Sequence, residues 1–146
     1  MDWTLFALRV SLATIAGLII GLEREIQGKE AGLKTNALVA LGASIFILMS
    51  VKFEGDKYVD ITRVLGQIVV GIGFIGAGTI LQKGKEVKGL TTAATIWCSA
   101  GAGCLAGFGF YTELGIVSGI ILTINLVFGY VEHKIKKKKK KEEESD

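Results

Sequence analysis

Residues Val64–Leu81 read VLGQIVVGIGFIGAGTIL, and the fold turns on how this stretch is understood. It carries five glycines, one glutamine and no charge, and it contains Gly71-x-Gly73-x-x-Gly76. Between a strand and a helix, that spacing would signal a turn that cradles a dinucleotide. Such a turn needs an acidic ribose ligand about 20 residues on, whereas the next charges are Lys83, Lys85, Glu86 and Lys88. The apolar run instead carries on through and past the glycines, 18 residues in all. As a helix it covers ~27 Å, close to the hydrocarbon core of a bilayer. The glycines then serve close packing between helices.

The rest of the chain supports the membrane reading. Half of its 146 residues are hydrophobic, 20 are glycine and none is proline, and the mean hydropathy is +0.49. Charges gather in short segments between five clean runs: Trp3–Leu22, Gly32–Val51, Val64–Leu81, Thr92–Phe110 and Glu113–Val131. Each has the length of a spanning helix, and only helices satisfy their own backbone in such segments. The first run lacks a basic leader and is followed by further spans, so it reads as a retained helix. The expectation is an all-α membrane protein with five transmembrane helices over residues 1–131. A disordered, Lys/Glu-rich cytoplasmic tail is expected over residues 132–146. With the C-terminus inside, thirteen Lys and Arg fall in cytoplasmic segments, against Lys52, Lys57 and Arg63 outside among Glu54, Asp56, Asp60 and Glu113. That asymmetry predicts N-terminus out and C-terminus in.

Two cytoplasmic loops resemble each other. Gly28-Lys-Glu-Ala-Gly32-Leu-Lys-Thr35 opens the second helix and Gly84-Lys-Glu-Val-Lys-Gly89-Leu-Thr-Thr92 the fourth. They suggest a parallel repeat of helix hairpins 1–2 and 3–4. Thr35 with Asn36, and Thr91 with Thr92, stand where they would cap those helices. In the third helix, Asp60, Gln67, Gly71 and Gly78 fall within roughly 40° of one another, with Gly66 and Gly73 on a second face. Two glycine faces, together with Gly76, place that helix in the centre of the bundle. Gly17 with Gly21, and Gly103 with Gly107, add small-x₃-small pairs elsewhere. Cys98 and Cys104, six apart on one helix, cannot bridge within it and read as packing residues.

Few residues carry chemistry. Arg9 lies two turns into the first helix and must either pair, with Asp60 or Glu113, or snorkel outward. Glu23-Arg24-Glu25 closes that helix at its cytoplasmic end, where carboxylates oppose the dipole. The three are expected as a solvated interfacial trio. Asp60 and Arg63 are spaced to form their own pair. No Asp or Glu stands at mid-bilayer depth, which argues against a self-contained Mg²⁺ path. No catalytic set, metal site or cofactor motif is found, and no nucleic-acid partner is expected. The six lysines Lys136–Lys141 would hold anionic lipid or simply anchor the topology.

GLERE at Gly21–Glu25, AGLKTNALVALGA at Ala31–Ala43, QIVVGIGFIGAG at Gln67–Gly78 and VKGLTTAATIWCSAG at Val87–Gly101 together resemble the MgtC/SapB family. The resemblance runs from about Gly17 to Gly109 in order and spacing. It implies a multi-pass protein of a prokaryotic inner (plasma) membrane, named for an association with magnesium transport. The family's best-known member is a low-magnesium adaptation factor that restrains ATP synthase. By motif, the resemblance points to Glu23, Arg24, Thr35, Asn36, Arg63, Gln67, Thr92, Thr95 and Trp97; the residues themselves add Asp60. Two departures stand out. Thr91 occupies a position that is Asn in the best-known member, and the soluble C-terminal domain of longer members is not in this sequence. The working expectation is a homo-oligomeric regulator of Mg²⁺ or energy homeostasis that acts by helix–helix contact, with the ATP synthase membrane sector as a candidate partner. The rivals are a transporter or channel for Mg²⁺ or another small solute, and a lipid-interacting scaffold.

Overall fold

The computed structural model describes residues 2–55, 60–84 and 86–143. Five helices follow one another: α1 (Trp3–Ile26), α2 (Leu33–Lys52), α3 (Ile61–Ala77), α4 (Leu90–Phe108) and α5 (Tyr111–Glu143). Between α3 and α4 lies a two-stranded antiparallel ribbon, β1 (Leu81–Lys83) with β2 (Glu86–Lys88), which the sequence reading does not contain. The ribbon pairs Leu81 with Lys88 and Lys83 with Glu86, leaving a two-residue connection that starts at Gly84, φ +63°. A left-handed glycine is what such a tight hairpin needs. The apolar run therefore stops being helical at Ala77. Gly78 ends it, and the Thr79 hydroxyl donates to the Gly76 carbonyl at 2.8 Å.

The far end of the chain also differs from expectation. α5 continues as helix through the lysine run to Glu143, where a disordered tail is expected from composition. Lys and Glu are good helix formers, and extending a helix that is already nucleated needs only one hydrogen bond per residue. Asp56, Lys57, Lys85, Ser145 and Asp146 lie outside the described residues.

α4, not α3, is the centre. It packs against all four other helices, whereas α3 packs chiefly against α4 and α2. The only buried residue of α3 is Gly76, whose added Cβ would meet Ala93 at an ordinary 3.5 Å. A Cβ on Gly66, Gly71 or Gly73 would meet nothing within 4 Å. Gly66, Gly71 and Gly73 thus face open space, and the expected two-sided packing of this helix is not what the fold uses. One on Gly78 would touch only its own last turn.

The close approaches lie elsewhere. A Cβ on Gly17 would sit 2.5 Å from the Asn36 carbonyl oxygen, and one on Gly21 would sit 2.8 Å from Leu33 Cα. Gly103 lies directly against the Ala40 backbone, and a Cβ on Gly107 would come within 2.8 Å of Ile47 Cβ. Asn36 meets Ser99, Ala40 meets Gly103 and Ser44 meets Gly107. This constant offset means that α2 and α4 run parallel, with α1 antiparallel to both. Small side chains fill the interior: Ala13, Ala16, Ala102 and Ala106 on one side, Ala31, Ala43 and Ala100 on the other, around Ile20, Ile47 and Ile96.

Large apolar side chains point out instead, among them Trp3 at 75 % exposure and Phe74 at 84 %. Such an exterior suits lipid rather than water. Among the described residues three helices, α1, α2 and the Tyr111–Val131 part of α5, are long and apolar enough to cross a membrane. α3 is apolar but only 17 residues long, and the Thr, Ser and Gly of α4 suit burial among helices more than contact with lipid. In detergent, Gly103→Val should sharply lower the melting temperature. Gly71→Ala should leave it unchanged or raise it, since Ala is better in a helix by about 1 kcal/mol. A melting curve for each variant checks this.

Candidate functional site

The end of the bundle where α1 finishes and α2 and α4 begin holds most of its buried polar groups. Glu23 and Arg24 are almost wholly buried, at 6 % and 3 % exposure. Neighbours in sequence do not normally face each other on a helix. Here the long arginine folds back, and its Nε and Nη2 donate to the two carboxylate oxygens of Glu23 at 2.5 and 2.7 Å. Each charge is neutralised by the other, so the expected solvated trio is in fact a buried bidentate pair plus Glu25. The Glu25 carboxylate reaches across and accepts from the Leu33 amide of α2 at 3.2 Å. That places negative charge at the positive end of the α2 dipole.

Asn36, fully buried, is the hub of the α2–α4 contact. Its amide nitrogen donates to the Ala31 and Gly32 carbonyls at 2.8 and 2.9 Å, and its oxygen accepts from the Ser99 hydroxyl at 2.8 Å. Thr92 and Thr95, also buried, continue this line along α4, with Thr95 donating to the Thr91 carbonyl. The expected threonine caps are absent. α2 starts at Gly32 and α4 at Gly89, neither with a side-chain cap. Asn36 works as a donor to loop carbonyls, the reverse of a cap. The fold therefore brings together Glu23, Arg24, Asn36, Thr92 and Thr95, and leaves Thr35 half-buried beside them.

The remaining candidates stand apart. Asp60 is exposed and caps α3, accepting from the Thr62 amide at 2.9 Å and the Thr62 hydroxyl at 2.5 Å. The Thr62 hydroxyl chiefly holds its carboxyl below the usual range, with Arg63 a minor contributor. Among the described residues Asp60 and Arg63 form no ion pair. Gln67 lines an apolar cleft of about 490 Å³ between α2 and α3, with Gly42, Phe46, Gly71 and Ile75. Trp97, half-exposed, lines a second cleft of about 440 Å³ between α3, α4 and α5, bordered by Cys98 and Cys104.

Arg9 neither pairs with Asp60 or Glu113 nor snorkels free. At the opposite end of the bundle, its Nη1 donates to the Gly107 carbonyl in the last turn of α4 at 2.9 Å. A cation at a helix C-terminus is favoured by the dipole. Ser99 and Ser44 are fully buried polar groups that sequence reasoning passed over. The signal was the spacing of Thr92, Thr95, Ser99 and Gly103 along one face of α4.

The sequence profile of the MgtC family matches residues 10–134. An uncharacterized Synechocystis protein, slr0014, is 44% identical over 126 residues, which is 86% of this chain and 53% of the relative. Protein MgtC of Salmonella typhimurium is 43% identical over 132 residues, covering 90% of this chain and 56% of its own. Protein MgtC of Brucella abortus is 46% identical over 113 residues, with shares of 77% and 47%. The chain thus spans about half the length of the curated relatives it matches. No solved structure matches it.

Two outcomes test the geometry. Arg24→Met strands a buried carboxylate and should cost about 3–5 kcal/mol, while Glu23→Leu combined with Arg24→Met should recover most of that loss. Denaturant titration in detergent reads both. Because the Asp60 carboxyl is lowered in the folded chain, its contribution is present above the usual carboxylate range and fades as pH falls through the lowered value. The melting difference between wild type and Asp60→Asn should accordingly close on going from neutral to acid pH.

Proposed function

The chain belongs to the MgtC family, and on that premise we propose that it is a multi-pass regulator in the inner membrane of a prokaryote, serving Mg²⁺ or energy homeostasis through helix–helix contact. The observation that carries this reading is two open faces of α3, Gly71 on one and Gly66 with Gly73 on the other, where no protein atom lies within 4 Å of a would-be Cβ. In a membrane, a glycine face is where another helix approaches most closely. The Gly71 face borders the α2–α3 cleft, whose single polar side chain is Gln67. A partner helix laid there would bury its apolar surface and offer that amide a hydrogen bond. A second copy of the chain and the ATP synthase membrane sector are the candidate partners.

The polar end supports the same reading. Glu23 is fully engaged by Arg24, and Asn36 by Ser99 and loop carbonyls. Groups so satisfied hold helices in register, while an ion path needs oxygen ligands free to take up the ion. We further infer five spans with the N-terminus outside, because Arg24, Lys29, Lys34, Lys83 and Lys88 then share the cytoplasmic side.

Gly71→Leu should leave melting unchanged yet abolish copurification of the partner and growth support in low Mg²⁺. Robust Mg²⁺ flux in proteoliposomes that is lost in Glu23→Gln would overturn the regulator reading in favour of transport. For topology, Glu54→Cys and Lys83→Cys should label from opposite sides of the membrane. Labelling from one side would defeat the five-span arrangement.

A further inference from the structure

Opposite the polar end, where α1 begins and α2 and α4 finish, a cleft of about 330 Å³ is lined by Asp2, Leu5, Phe6, Arg9, Leu48, Val51 and Lys52. We propose that this cleft holds the phosphodiester of a membrane phospholipid, gripped by Arg9 and Lys52. The inference rests on the reading of the chain as membrane-embedded, but not on its orientation or on any partner.

Arg9 is the starting point. Of its five N–H donors, one is used on the Gly107 carbonyl, and Nε is enclosed with no partner at all. Among the described residues no carboxylate lies within ion-pair distance of Arg9 or Lys52. An arginine this far into a spanning helix is costly unless something neutralises it. Its position, six residues beyond Trp3, lies ~9 Å along the axis from the aromatic residue that begins the helix. Trp3 and Tyr111, both exposed, stand at this same end. Tryptophan and tyrosine favour headgroup depth, which sets the mouth of the cleft level with lipid phosphates.

The cleft matches a phosphodiester in charge and shape. Two cations face one carboxylate, that of Asp2, which is already engaged by the Thr4 amide at 2.9 Å. The balance of one positive charge suits a singly charged diester better than a dianion. Lys52, exposed at the end of α2, rests over the Phe53 ring at 5.8 Å and is free to reach in. Leu5, Phe6, Leu48 and Val51 supply an apolar wall for the glycerol and upper acyl chain. Bound lipid would then tie α1 to the ends of α2 and α4.

Native mass spectrometry of the full chain, titrated with phosphatidylglycerol, phosphatidylethanolamine, diacylglycerol and inorganic phosphate, tests this. Both phospholipids should bind at one tight site, and diacylglycerol should bind far more weakly. Lys52→Gln, a change at an exposed side chain, should weaken phospholipid binding at least about tenfold, the loss expected of one charge-assisted bond. Arg9→Lys should retain more binding than Arg9→Gln. Equal retention of diacylglycerol would show that the wall alone binds and overturn the proposal. So would phospholipid binding that is unchanged in Lys52→Gln and Arg9→Gln. Inorganic phosphate that competes with lipid at equal concentration would reassign the site to a free anion.

Discussion

The contact between α2 and α4 sets the geometry of the bundle, because it is made at backbone distance. Gly103 against Ala40 and Gly107 against Ile47 leave no room for a single added carbon. Lipid tails are as apolar as leucine, so a membrane helix gains little by hiding leucine from them. Dispersion between closely fitted surfaces has to hold the helices instead, and that demands small residues where backbones meet. The hydrogen bond from Ser99 to Asn36 fixes which turn of one helix faces which turn of the other. α1 is then seated on α2 by Gly17 and Gly21, and α3 and α5 fill the outer positions around α4.

The two ends of the bundle deal with charge differently. At one end the problem is solved within the protein. Glu23 and Arg24 neutralise each other, and Glu25 serves the amide end of α2. At the other end Arg9 meets only the partial charge of a helix terminus. Helix ends thus act as ligands in both places, an amide end for a carboxylate and a carbonyl end for a guanidinium.

Much of this was legible in the sequence. Long apolar runs separated by short charged segments located all five helices, each end to within a few residues except the end of α5, which runs on to Glu143, because hydropathy depends on composition and not on tertiary contacts. The central position of α4 was not legible. Gly66, Gly71 and Gly73 form clearer faces than anything in α4, yet they look outward. A glycine face leaves room for a close neighbour, without saying whether this chain supplies one. The caps were misread for a related reason. Glycine at the N-cap of α2 and α4 left the capping to backbone geometry and to Glu25, eight residues before Leu33. Asn36 was expected as a cap, whereas its hydrogen bonds depend on Ala31, Gly32 and Ser99 converging on it, which no local pattern reports.

The Glu23–Arg24 pair has a consequence for how the chain enters a bilayer. Both charges belong to one helix and are adjacent in sequence, so they meet as soon as α1 forms. That end of α1 can leave aqueous surroundings with Glu23 and Arg24 already paired, before α2 or α4 has been synthesised. A pair assembled from two distant helices would instead expose two bare charges to lipid until the second arrived. Order of synthesis, and not only the finished architecture, favours placing the two halves of this ion pair side by side.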